Sequence, residues 1–191
     1  GRDYYQAIFD LAELPLPTDI GQRFYPDADE LKWASEQRAK LFPGPLVVLA
    51  PTGSGGPKTW PHVQAFLDRM SAADVTVLVM GELRYEIEER DKYQIVLGKD
   101  LPMRKAMALT QLADVVVGEE TGILNAVASC DMPKVVLMSH SAGHQLTSHW
   151  KNTIALEPSG IPCHPCHRLH RAFEFCTKDS VTGWSACQAA L

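Results

Sequence analysis

The sequence predicts an α/β fold, a doubly wound parallel sheet, and three observations carry the prediction. Apolar runs rich in β-branched residues alternate along the chain with amphipathic stretches. Two of these runs lead directly into polar, glycine-bearing loops, as where a buried strand ends and a helix begins. The composition is that of a chain with a core: 191 residues, 46% hydrophobic and 21% charged.

Residues 1–44 read as a linker with docking helices. A helical pattern runs from Asp3 to Leu14, Pro15, Pro17 and Pro26 break the connector, and a second helix is expected from about Asp27 to Leu41. Residues 45–191 read as one compact domain, with strands near 45–50, 75–80, 94–97, 114–117, 134–138 and 153–156. Helices are expected near 61–72, 83–92, 103–112 and 122–130. Neither a signal-peptide pattern nor an initial methionine is present, so the chain reads as a piece of a longer protein. No apolar run approaches membrane-spanning length, and a net charge of −5 argues against a general nucleic-acid surface.

The first loop, Pro51-Thr52-Gly53-Ser54-Gly55-Gly56-Pro57-Lys58-Thr59-Trp60-Pro61, follows the strand Leu46–Ala50 and carries three glycines, three hydroxyls and one lysine. Glycines let successive N–H groups turn toward one anion, hydroxyls donate, and Lys58 adds a mobile positive charge. It matches neither the Walker loop nor the dinucleotide GxGxxG fingerprint, and the plain alternative is a surface loop with a solvated lysine. The second loop is Val117-Gly118-Glu119-Glu120-Thr121-Gly122, after the run Ala113–Val117. Unpaired N–H groups at the start of a following helix attract an anion, Thr121 adds a donor, and Glu120 accepts from sugar hydroxyls. The plain alternative there is Glu120 or Thr121 as an ordinary helix cap. In open parallel sheets the ligand lies beyond the carboxyl ends of the strands, where both loops fall.

The C-terminal tail holds Cys163, Cys166, Cys176 and Cys187, interleaved with His164, His167 and His170. Three readings stand: reduced thiols in a tail packed on the domain, a zinc site, or a disulfide. Ser139, His140, Ser141, His144 and His149 follow the fifth strand, without the G-x-S-x-G elbow of a hydrolase. There the readings are phosphate contacts by Ser139 and Ser141, or a polar loop with exposed imidazoles.

Over about residues 10–187 these elements resemble bacterial glycosyltransferase family 9, whose best-studied members are ADP-heptose:lipopolysaccharide heptosyltransferases. Pro51-Thr52-Gly53-Ser54 with Lys58-Thr59-Trp60-Pro61 is similar to the family's first nucleotide-sugar loop. Ala113-Asp114-Val115-Val116-Val117-Gly118-Glu119-Glu120-Thr121-Gly122 is similar to its second, A-D-x-x-V-G-x-D-T-G-x-x-H. Leu137–Ser141 stands where the family often has Phe-Gly-Pro-Thr, and Cys163-His164-Pro165-Cys166 resembles its Cys-x-Pro-Cys element. Two positions depart from the pattern: the family's aspartate is Glu120 and its histidine is Asn125.

The resemblance implies a Rossmann-like domain forming the C-terminal half of a GT-B glycosyltransferase that acts in lipopolysaccharide or related glycan assembly in the cytoplasm. The donor implied is a nucleotide diphosphate sugar of the ADP-heptose kind, and the acceptor a glycan or lipid-linked sugar. Donor contacts are then expected from Thr52, Gly53, Ser54, Lys58, Glu86, Glu120, Thr121, Gly122, Asn125, Ser139 and Ser141. Glu86, in the helix expected after the second strand, would receive the ribose hydroxyls. Lys58 and Ser54 would stabilise the leaving diphosphate with no metal or other cofactor. The acceptor-activating base would belong to an N-terminal domain outside this chain, so the chain by itself is expected to bind donor without turnover. A nucleotide-sugar-binding module without transfer activity and a zinc-stabilised interaction domain are the competing readings.

Overall fold

The structure is a computed structural model that describes residues 2–88, 93–96, 100–168 and 171–191. Six strands form one all-parallel sheet in the order β3-β2-β1-β4-β5-β6. They are β1 (Leu46–Ala50), β2 (Thr76–Met80), β3 (Tyr93–Val96), β4 (Val115–Glu119), β5 (Lys134–Leu137) and β6 (Thr153–Leu156). Each falls on one of the six expected runs. Parallel strands covered on both faces read as continuous apolar stretches, and β1, buried at all five positions, is the clearest case.

The helices are α1 (Tyr4–Leu11), α2 (Ala28–Leu41), α3 (Val63–Ala72), α4 (Met103–Thr110), α5 (Gly122–Ala126), α6 (Gly143–Leu146) and α7 (Ala186–Ala189). Alternation along β1 sends Leu46, Val48 and Ala50 into one core with Ala34 of α2, Leu109 of α4 and Leu124 of α5. Val47 and Leu49 enter a second core with Val63 and Leu67 of α3 and with Trp60. Helices on both faces make the sheet doubly wound. α2 starts with a capping box between Asp27 and Glu30, and Arg104 of α4 grips Glu30 with two hydrogen bonds of 2.6 and 2.7 Å. Gly118 is required where β1 and β4 touch, since a Cβ there would lie 2.3 Å from the Ala50 carbonyl oxygen.

Two expected helices differ. Residues 81–88 are not helical, and 89–92, the rest of the segment expected at 83–92, lie outside the described residues. Side chains here are drawn onto the loop after β1: Arg84 donates to the Gly53 carbonyl at 3.1 Å and Tyr85 to the Trp60 carbonyl at 2.8 Å. Leu83 and Ile87, whose spacing suggested a helix, pack on the second core without one. The helix expected over 122–130 ends at Ala126, and the Cys130 carbonyl is taken by the buried Lys134 ammonium at 2.6 Å. Among the described residues no helix is long and apolar enough to cross a membrane.

Candidate functional site

β1 and β4 are neighbours, and their chain connections leave in opposite directions across the sheet. This is the switch point at which open α/β sheets form a crevice. The loop after β1 is a closed hairpin. Thr52 bridges Thr59, the Gly53 N–H donates to the Lys58 carbonyl at 2.7 Å, and the Lys58 N–H donates to the Gly55 carbonyl at 3.0 Å. The Thr52 hydroxyl donates to the Glu82 carbonyl at 2.7 Å, fastening the hairpin to the segment after β2. Lys58 is thereby carried to the end of β4, where its ammonium donates to the Glu120 carbonyl at 3.3 Å and lies 3.8 Å from the Glu120 carboxylate.

Glu120 is the hub of the site. One carboxylate oxygen accepts from the Ser139 hydroxyl, from His140 Nδ1 at 2.7 Å and from the His140 backbone N–H at 3.1 Å. Burial would push this carboxyl up, but the His140 hydrogen bond and the Lys58 and His140 charges outweigh it and hold it at about 2. Glu119 is its opposite. It is fully buried, and burial first, then the Glu120 charge, raises its carboxyl well above the ordinary 4.5. Glu119 thus holds its proton above the ordinary carboxylate range, and Glu120 releases its own below it.

A crevice of about 440 Å³ opens beside this cluster, lined by Thr52, Gly53, Ser54, Glu120, Thr121, Gly122 and Asn125 together with Met80, Gly81, Glu82 and Met103. Three oxygens in that lining are shielded from solvent and have no hydrogen-bond partner among the described residues: Glu120 Oε2, Thr121 Oγ1 and Asn125 Oδ1. Native structures rarely leave such atoms unpaired; all three can accept a hydrogen bond, and the Thr121 hydroxyl can also donate one. α5 has only five residues, so its macrodipole is small.

Seven of the sequence-predicted residues thus line one crevice. Lys58 and Ser139 stand beside it around Glu120. Ser141 faces another way, accepting from the Tyr4 hydroxyl of α1 at 3.2 Å. Glu86 is exposed on the non-helical segment and is absent from the crevice lining, which holds Glu82 instead. His144 is exposed, His149 lies 3.4 Å from the Asp3 carboxylate, and His170 is outside the described residues.

The tail folds back over the first loop. The Gly56 N–H donates to the Arg171 carbonyl at 2.8 Å, and the Ser185 hydroxyl donates to the Pro57 carbonyl at 2.8 Å. Cys163, Cys166, Cys176 and Cys187 are thiols rather than disulfides. Burial, reinforced by the neighbouring thiols, pushes Cys176 up to about 11. Among the described residues no group of three or more His, Cys, Asp or Glu side chains is placed to hold a metal ion.

No family model matches the sequence, and no curated protein matches it. Solved structures do match the fold. ADP-heptose lps heptosyltransferase II of E. coli superposes with a TM-score of 0.62 at 15% identity, over 78% of this chain and 49% of that one. The glycosyl transferase family 9 structure from Veillonella parvula DSM 2008 superposes with a TM-score of 0.63 at 15% identity, over 84% of this chain and 51% of that one. The fold is that of one half of a GT-B glycosyltransferase. The chain spans about half the length of the solved structures it matches.

Within that fold, three side chains stand out that sequence reasoning did not assign to the site. His140 secures Glu120, Glu82 lines the crevice, and Arg84 ties the β1 loop to the segment after β2 through the Gly53 carbonyl and, at 3.3 Å, the Thr59 hydroxyl. His140 had a detectable signal: it directly follows Ser139 beyond β5, and β5 is the neighbour of β4 in the sheet.

Proposed function

We propose that this chain is the C-terminal, donor-binding half of a metal-independent inverting glycosyltransferase, taking a nucleotide diphosphate sugar of the ADP-heptose kind. The observation that carries the reading is the trio of unpartnered buried oxygens, Glu120 Oε2, Thr121 Oγ1 and Asn125 Oδ1, in a crevice at the sheet's switch point. A sugar offers hydroxyls to the carboxylate and amide oxygens, and a phosphate accepts from the threonine hydroxyl. Met80 and Met103 supply an apolar, adaptable wall for a base, and Glu82, rather than Glu86, a carboxylate near the ribose. Residues 1–44 link and dock this half to the acceptor domain, and 45–191 hold the donor.

When the bond from the anomeric carbon to the diphosphate breaks, negative charge gathers on the leaving oxygen. Lys58 and the Ser54 hydroxyl stabilise it, assisted by the N–H groups at Thr121 and Gly122. An incoming diphosphate competes with Glu120 for Lys58, while His140 and Ser139 keep the carboxylate in place. Activation of the acceptor hydroxyl falls to the N-terminal domain, so this chain binds donor without turning it over. The full enzyme would work in lipopolysaccharide or related glycan assembly, in the cytoplasm at the inner face of the membrane, on a glycan or lipid-linked acceptor.

Calorimetric titration with nucleosides, nucleoside diphosphates and nucleotide sugars tests the reading. Lys58→Ala is expected to weaken diphosphate binding by about 1.5–3 kcal/mol, as for hydrogen bonds to charged groups, with a much smaller loss for the nucleoside. Glu120→Gln should lower affinity for the nucleotide sugar more than for the bare diphosphate. Absence of binding by every nucleotide, or equal affinity of wild type and Lys58→Ala, overturns it.

A further inference from the structure

A second cavity, of about 230 Å³, lies across Ser54 from the crevice, between residues 54–58, the turn after β5 and the tail. The two concavities share Ser54 and differ in charge. Among the described residues, the crevice is lined by Glu82 and Glu120 and by no lysine, arginine or histidine. The second cavity is lined, among the described residues, by Lys58, His140, Arg168 and Arg171 and by no carboxylate. Lys58 and His140 already share the Glu120 carboxylate, at 3.8 and 2.7 Å, so the positive charge specific to this cavity is that of Arg168 and Arg171.

Lys58 and His140 are held there by the fold, and Arg168 and Arg171 are exposed on the tail. Lys58 is tethered to Glu120, His140 to the same carboxylate, and the Arg171 carbonyl receives the Gly56 N–H. The Arg168 guanidinium lies over the Phe175 ring, 5.4 Å from its centroid. Two guanidinium forks beside a lysine suit a planar carboxylate or a phosphate. At about 230 Å³ the cavity falls below the roughly 300–1,000 Å³ of drug-sized pockets, which suits one small charged group or a monosaccharide bearing one.

We propose that this cavity is a second anion subsite, which binds a carboxylate or phosphate substituent carried by a substrate sugar beyond the donor diphosphate. The proposal rests on the donor-binding reading above, because it takes the crevice and Lys58 as the place of the nucleotide diphosphate. The substrate class that follows is an acidic or phosphorylated sugar, either the one transferred or the one that accepts.

The test is calorimetry on the chain saturated with ADP, titrated with glucose, glucuronate and glucose 6-phosphate. The charged sugars are expected to bind at least tenfold more tightly than glucose. The double variant Arg168→Ala, Arg171→Ala should erase that preference while ADP affinity stays within twofold of wild type, with an unchanged melting temperature as the check on folding. UDP-glucuronic acid compared with UDP-glucose then separates the sources. An arginine-dependent gain for the acidic nucleotide sugar assigns the substituent to the transferred sugar, and a gain confined to the free sugars assigns it to the acceptor. Equal binding of charged and neutral sugars overturns the proposal. A loss of ADP affinity in the double variant as large as the loss for the charged sugars also overturns it, since the arginines then serve the diphosphate. If ADP does not bind, the donor reading falls instead. The same sugars titrated on the free chain then decide the subsite, arginine-dependent preference supporting it and its absence overturning it.

Discussion

Glu119 and Glu120 are consecutive in the chain, yet the two faces of the sheet make them different acids. Alternation at the end of β4 sends Glu119 toward the core built on α3 and Trp60, where neither carboxylate oxygen finds a partner among the described residues. Glu120 turns to the other face, where Ser139, His140 and Lys58 converge on it. Burial alone raises both; only Glu120 has the donors and cations that reverse it. One residue type, displaced by a single position, thus has its carboxyl raised in the core on one side and lowered at the hub of the site on the other.

The largest expected effect comes from disturbing the strand that carries both. In Gly118→Ala the new Cβ meets the Ala50 carbonyl, a backbone atom that cannot rotate away, so β1 and β4 must part. A loss of about 3 kcal/mol in urea unfolding is expected, with both glutamates displaced and nucleotide binding abolished. Wild-type stability in this variant would mean that β1 and β4 have room to spare.

Next comes the hub itself. Glu120→Ala leaves Lys58 and His140 without their shared anion, and a loss of about 1.5–3 kcal/mol at pH 7 is expected. Because the folded carboxyl sits at about 2, below its ordinary 4.5, its contribution is complete above 4.5 and disappears as pH falls toward 2. Unfolding curves of wild type and Glu120→Ala should therefore converge on acidification. A gap that stays constant down to pH 2 would assign the loss to packing instead of charge.

The difference between these two carboxyls also marks how far the sequence was legible. Strand positions were plain, because each buried parallel strand is a short unbroken apolar run, as in Leu46–Ala50 and Val115–Val117. The adjacency of the two glycine-bearing loops followed from their place after such runs. Contacts of long sequence separation were not legible. His140 reaches Glu120 over 20 positions, and Arg84 reaches Gly53 over 31, through a sheet order that local patterns do not encode. The segment after β2 misled because Leu83 and Ile87 have helical spacing, yet an extended chain pinned by Arg84 and Tyr85 buries the same two residues. Glu82 then takes the place at the crevice that the helical expectation had assigned to Glu86.

The smallest effect, and the sharpest on the comparison, is expected from Glu119→Gln. A carboxyl raised above 4.5 on folding binds its proton more tightly in the folded chain, so stability is full below 4.5 and declines as pH rises above it. Glutamine keeps the shape and cannot ionise, so the variant escapes that decline. Near pH 4 the two proteins should melt together, and the variant should gain on wild type as pH is raised above 4.5 toward the folded carboxyl's own value. This is the reverse of the Glu120 pattern, which develops on the acid side of the same value. Nucleotide affinity should be unchanged, because Glu119 lines neither cavity. If the variant instead loses stability as pH rises above 4.5, Glu119 is an anion with a partner in the folded chain, and the contrast between the two faces of β4 collapses.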